Sequence, residues 1–143
     1  MKTETTVPVF ANRAPWNELL IMGKRKIKTL SFNWKYRGPI LLYTSKERVD
    51  HEGWIDYRLR KKLEDIPQGA IVGTAEVLDV MPTECLPQSY FDKDPALFDT
   101  TGQAYVVIVG KVKRFKKPVP FKPKQGAIRV FRGPANLLNR ATV

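Results

Sequence analysis

Residues Ala70 to Val80, A-I-V-G-T-A-E-V-L-D-V, restrict the fold more than any other stretch of this chain. The run is rich in β-branched residues. It alternates Val72, Thr74, Glu76 and Leu78 against Ile71, Gly73, Ala75, Val77 and Asp79. This pattern predicts a long central strand, with Gly73 marking a bend or a close approach of backbones. A second run, Tyr105 to Val112, is the most β-like of the chain and leads directly into Lys113-Arg114-Phe115-Lys116-Lys117. Pro118, Pro120 and Pro123 are then expected to exclude a central strand or a helix.

Shorter elements fit around these two. Val7-Pro8-Val9-Phe10 alternates, and Pro8 predicts an edge or a strand start. Asn12-Arg13-Ala14-Pro15-Trp16 predicts a turn into a helix of about two turns, with Asn12 as cap, Trp16, Leu19 and Leu20 as its buried stripe, and Gly23 as its stop. Ile40 to Thr44 predicts a buried strand after the turn signal Tyr36-Arg37-Gly38-Pro39. Ile55, Leu59, Leu63 and Ile66 mark a second helix that ends at Pro67-Gln68-Gly69. Residues 82–103 predict a loop or insertion, Ala127 to Phe131 a last strand, and residues 133–143 a tail with a short helix at Asn136 to Arg140. There is no internal repeat and no regular β-α alternation. The expectation is one α+β domain over residues 1–143, a small closed or half-closed sheet of about six strands flanked by two main helices.

Charge points to a partner class. The net charge is +11, and it is unevenly spread. Residues 1–50 carry ten Lys/Arg against four acids, residues 51–100 five against ten, and residues 101–143 ten against none. Two basic thirds around an acidic middle predict a one-sided positive surface if the two ends fold together. Within the first third, Lys24, Arg25, Lys26, Lys28, Lys35 and Arg37 interleave with Phe32, Trp34 and Tyr36, and this stretch holds no acid. Its alternation is imperfect: Lys28 shares a face with Leu30, which predicts a strand that twists or bulges. Cations among flat rings suit a polyanion with exposed bases, the charges for phosphate and the rings for stacking. The predicted phosphate contacts are Lys24, Arg25, Lys26, Lys28, Lys35 and Arg37 on one side, and Lys111, Lys113, Arg114, Lys116, Lys117, Lys122, Lys124 and Arg129 on the other. Arg13 is expected as a further surface contact, and Trp34 or Tyr36 as a stacking ring.

Other chemistries find little support. Cys85 is the sole cysteine and His51 the sole histidine. A cysteine-rich zinc site and an intrachain disulfide are therefore excluded, and neither zinc-deaminase nor P-loop signatures occur. No metal or cofactor is expected. No apolar run approaches the roughly 18–20 residues that cross a bilayer. The N-terminal residues lack an apolar signal core. A cytoplasmic protein, monomeric by default and without a membrane partner, is expected.

Four segments, in order, resemble one family. P-W-N-E-L-L-I-M-G-K-R-K-I-K and Y-R-G-P-I-L-L-Y-T-S-K are similar to the opening of the ASCH domain, the activating-signal-cointegrator homology group of the PUA-like superfamily. G-A-I-V-G-T-A-E-V-L-D-V is similar to its central strand and P-F-K-P-K-Q-G-A-I-R-V to its closing strand. The resemblance covers residues 7–132. It implies a small PUA-like β-barrel with flanking helices, a cleft beside the barrel, and a nucleic-acid ligand, RNA before DNA. Some members of the family are hydrolases that remove an acyl group from a modified cytidine with a Lys, a Thr and a Glu. Here the chain departs from that pattern: Arg25 stands for the Lys, and Lys28 and Leu30 replace an acid and an Arg. Non-enzymatic binding is therefore the leading expectation. The alternative is hydrolysis in the same cleft, as an amidohydrolase using Lys24 and Glu76 or as a ribonuclease. A basic adaptor for an acidic protein or surface is a third reading.

Overall fold

A computed structural model of the chain describes residues 6–12, 16–23, 25–46, 65–90, 104–123 and 130–143. These residues form six strands: β1 (Thr6–Asn12), β2 (Ile27–Leu30), β3 (Gly38–Thr44), β4 (Ala70–Pro82), β5 (Tyr105–Pro120) and β6 (Val130–Pro134). Among the described residues one α-helix, α1 (Trp16–Ile21), lies between β1 and β2 in the chain, and short 3₁₀ turns occupy Thr83–Cys85, Gln88–Tyr90 and Ala135–Asn139. The strands form one mixed sheet in the order β2-β5-β4-β3-β1-β6. Only the β1–β3 pair is parallel.

The expected number of strands is present, but the sheet is open. Among the described residues β2 and β6 do not pair, so the strands do not close into a barrel. The second helix expected at Ile55 to Ile66 lies outside the described residues except at its end, as does most of the expected strand from Ala127.

Two departures, and one expectation met, have local physical causes. Pro8 lies in β1, which is internal to the sheet and not at its edge. Pairing with β3 begins only at Val9, so Pro8 faces a single neighbour, β6, and its missing N–H removes no bond on the other side. Pro118 and Pro120, by contrast, fit their expectation: β5 runs through them, but not as a central strand. Val119 and Pro120 pair with Ile71 and Ala70, whereas β2 borders β5 only at Tyr105–Ile108, so the prolines lie on an open edge. Finally, β2 pairs with β5 in unbroken register and ends at Leu30. The mixed face of that segment is not a bulge; Lys28 points inward beside Leu30 and is buried with it.

Hydrophobic residues cover both faces of the sheet. Ile40 and Leu42 join Phe10, Leu30, Ala75, Val77, Val107 and Val109 in one core cluster. Leu41 and Tyr43 join Val7, Val9, Ile71 and Phe115 in another. The continuous apolar run of β3 is thus explained by burial on both sides. The second cluster is covered by Phe121, Phe131, Leu137 and Leu138.

Gly73 acts as a close-approach residue. A Cβ placed there would overlap the backbone carbonyl of Lys113 on β5, and the β4–β5 register shifts on both sides of it. Backbone atoms cannot swing aside as a side chain would. Gly73→Ala is therefore expected to destabilise the protein by about 2–3 kcal/mol, read as a lower urea midpoint with an unchanged slope.

Candidate nucleic-acid interface

The first basic segment divides into buried and exposed cations. Arg25 is only 5% exposed; its Nε donates to the Ile27 carbonyl at 3.0 Å and its guanidinium lies 4.7 Å from the Trp16 ring centroid. Lys28 is 4% exposed, and its Nζ donates to Asn12 Oδ1 at 2.7 Å and to the Ala11 carbonyl at 3.3 Å. These two side chains tie β2 to β1 and α1. They are framework residues, not the surface phosphate contacts expected of them.

Residues 31–37 cross from β2 to β3 as a loop. Trp34 packs on the core, 5.1 Å from the Phe10 ring, and Tyr36 stacks on Trp34 at 5.0 Å. The Tyr36 hydroxyl donates to the Pro39 carbonyl at 2.7 Å. Arg37 ties the loop to the sheet: Nη1 donates to the Tyr36 carbonyl at 2.9 Å and the Trp34 carbonyl at 3.3 Å, and Nη2 meets Asp79 Oδ1 at 3.2 Å. The loop exits through Gly38, whose φ of +126° is accessible to glycine and strained for other residues. Lys26 and Lys35 are exposed and make no ion pair among the described residues.

The second basic segment also divides. Lys111 adopts a left-handed φ of +51° where the register slips between Thr74 and Glu76, and its Nζ pairs with Glu76 at 3.2 Å. Arg114 reaches under α1 and grips Glu18 with both guanidinium nitrogens, Nη1 to Oε2 at 3.0 Å and Nη2 to Oε1. Lys113, Lys116, Lys117 and Lys122 are exposed and, among the described residues, without an acidic partner. Arg13, Lys24, Lys124 and Arg129 lie outside the described residues.

The sheet brings parts of the two segments together. Lys26 adjoins β5 through the bond from the Val109 amide to its carbonyl. Asp79, the partner of Arg37, lies opposite Ile108, which on its other side lies opposite Ile27. Arg37's anchor and the start of β2 are therefore two strand spacings apart, about 10 Å. Lys111 and Lys113 follow a few residues along the same strand. Lys116 and Lys117 lie farther along it, where the chain end straps the open edge through Lys116 N–H to the Ala141 carbonyl and Val143 N–H to the Arg114 carbonyl.

One feature escaped the sequence reading. Asn12, Asn17, Glu18, Lys28 and Arg114 form a mostly buried polar cluster around α1. Asn12 Nδ2 donates to Asn17 Oδ1 at 2.8 Å, and Asn17 Nδ2 donates to the Tyr43 carbonyl at 2.8 Å and to Thr44 Oγ1 at 3.3 Å. Asn12 thus bridges side chains of β2 and α1, whereas it was expected to cap the helix. The one available signal was Asn17-Glu18 inside W-N-E-L-L. On a helix this short, both residues fall against the sheet along with the leucines.

Glu76 does not join this cluster. Its neighbours Ala75 and Val77 both point into the core on the α1 side, which turns Glu76 to the opposite face, toward Lys111. Among the described residues no three of His, Cys, Asp and Glu gather as metal ligands, and no helix is long and apolar enough to cross a membrane.

No family model and no curated protein matches this sequence. Solved structures do. The crystal structure of ASCH from Zymomonas mobilis is 12% identical, covers 90% of this chain and 88% of its own, and superposes with a TM-score of 0.53. A tyrosine-to-phenylalanine variant of that protein, 12% identical, covers 95% of this chain and 98% of its own at a TM-score of 0.55. A serine-to-alanine variant gives 13%, 87%, 85% and 0.51 in the same order. At such identities the likeness concerns the course of the backbone. The chain has the fold of an ASCH domain.

Proposed function

We propose that this chain is a non-enzymatic nucleic-acid-binding module, with RNA as the first ligand and single-stranded or structured DNA as the second. One observation carries the reading. Lys26, Lys35, Lys113, Lys116, Lys117 and Lys122 are exposed and make no ion pair among the described residues, whereas Arg25, Lys28, Arg37, Lys111 and Arg114 are engaged with protein groups. Six exposed ammonium groups that pair with no acid among the described residues, on a chain of net charge +11, favour a polyanionic partner. Lysine suits that role as a mobile point charge that contacts phosphate without reading sequence.

Of the two hydrolytic alternatives, the ribonuclease names no acid, and the amidohydrolase needs Glu76 acting with Lys24. Glu76 is paired with Lys111 on the face away from α1, and no observation favours that alternative. The ASCH-type fold is compatible with either activity and does not choose between them.

Salt dependence provides the test. If the six lysines contact phosphates of a single strand, affinity should fall about 300-fold between 50 and 200 mM monovalent salt. Binding of labelled RNA, single-stranded DNA and duplex DNA is measured at both concentrations. Affinity that is nearly flat with salt, or undetectable for all three strands at 50 mM, rejects the proposal.

A further inference from the structure

Phe32, Trp34 and Tyr36 recur at every second position, so an extended chain would present all three rings on one side. The structure separates them. Trp34 and Tyr36 stack on each other and on the core, and the Tyr36 hydroxyl is bonded to Pro39. Phe32 lies in the bend that follows Leu30, is 42% exposed, and makes no ring-to-ring contact among the described residues. The loop that carries it is anchored: Arg37 binds two of its carbonyls and Asp79, and the Trp34–Tyr36 stack holds its far end against Phe10.

From this arrangement we propose that Phe32 is the platform on which an unpaired base of the bound strand stacks, with Trp34 and Tyr36 as the foundation that holds the platform in place. The inference rests on the nucleic-acid reading above and deepens it, because it commits the site to a strand with unpaired bases. A ring on a surface loop can stack only on a base whose face is open, and a duplex hides its base faces except at its ends. Exposed Lys35, three residues on, supplies a charge for the adjoining phosphate, and the segment from Ser31 to Arg37 contains no acid. A ring carried on a loop already anchored at Trp34 to Arg37 adds little backbone ordering when a base settles on it. Arg37 is a positioning residue in this scheme, holding the loop through Trp34 and Tyr36.

The full chain and its Phe32→Ala and Phe32→Trp variants are titrated with a labelled single strand, an abasic strand of equal length and a duplex at one salt concentration. Phe32→Ala should weaken the single strand about 10- to 100-fold while moving the abasic strand and the duplex less than about twofold, and Phe32→Trp should restore the loss. The salt slope should be unchanged, because no phosphate contact is removed. Single-strand affinity that does not respond to Phe32→Ala, or equal losses on all three probes, overturns the stacking role and leaves the lysine reading standing. If the unsubstituted chain binds none of the probes, the nucleic-acid reading fails first and this inference fails with it. Circular dichroism and thermal melting of Phe32→Ala should match the parent, as expected for a ring outside the core clusters.

Discussion

Replacing Arg114 by Met is expected to destabilise the protein by about 3–5 kcal/mol, the largest effect predicted for any single side chain here. The Glu18 side chain is 3% exposed, whereas that of Arg114 is 29% exposed. Removing the arginine takes a bidentate cation away from a carboxylate that is largely shut off from water, and breaking a buried pair by removing one partner costs more than the pair itself contributes. Removing the glutamate is the milder change, because the arginine left behind can turn its guanidinium toward solvent. Glu18→Gln keeps the shape and one acceptor oxygen, so it should cost less than Arg114→Met. Combining the two should cost less than their sum, since the neutral amide no longer needs the cation. Urea denaturation of the two single variants and the double variant gives all three numbers. Additive costs, or an Arg114→Met variant within about 0.5 kcal/mol of the parent, would show that the pair is not coupled as its geometry requires.

Arg114 also shows where reading the chain stops short. From the sequence it is one cation in K-V-K-R-F-K-K, indistinguishable from its neighbours. Its role depends on Glu18, 96 positions away, and on the packing of α1 against the sheet. The same holds for Lys28, whose acceptors lie on β1 and whose inward direction resembled an irregular strand until α1 was in place. By contrast, β3 and β4 were legible because burial on both faces, or on one, leaves a local pattern in hydrophobicity. Gly73 was legible because a glycine inside such a pattern signals a close backbone. Proline was misleading at Pro8, whose strand is internal to the sheet, and not at Pro118 or Pro120, which lie on an open edge. Its rule concerns the missing hydrogen-bond donor, and whether a neighbour needs that donor is decided by pairing between distant segments. Topology thus decides which cations face inward, and only those left outside can serve a partner.

That division yields the second large effect. Substituting Lys113, Lys116 and Lys117 together by Gln is expected to reduce the steepness of the log-affinity versus log-salt plot by about 2, and to weaken binding of a single strand about 100-fold at 0.1 M salt. All three side chains are exposed and none makes an ion pair among the described residues, so the fold should lose nothing by their neutralisation. The control is Lys28→Met. It removes the same unit of charge, but from a buried group that donates to Asn12 and Ala11, so it should lower stability and leave the salt slope unchanged. The two outcomes are opposite in kind. A polyanion bound by general basicity alone would respond to any lost charge, buried or exposed, roughly in proportion. A surface built by the fold responds only to the cations that the fold leaves facing outward. Equal changes in slope per charge for the triple variant and for Lys28→Met would mean that net charge, not arrangement, attracts the ligand, and the interface assigned to β5 would have to be abandoned.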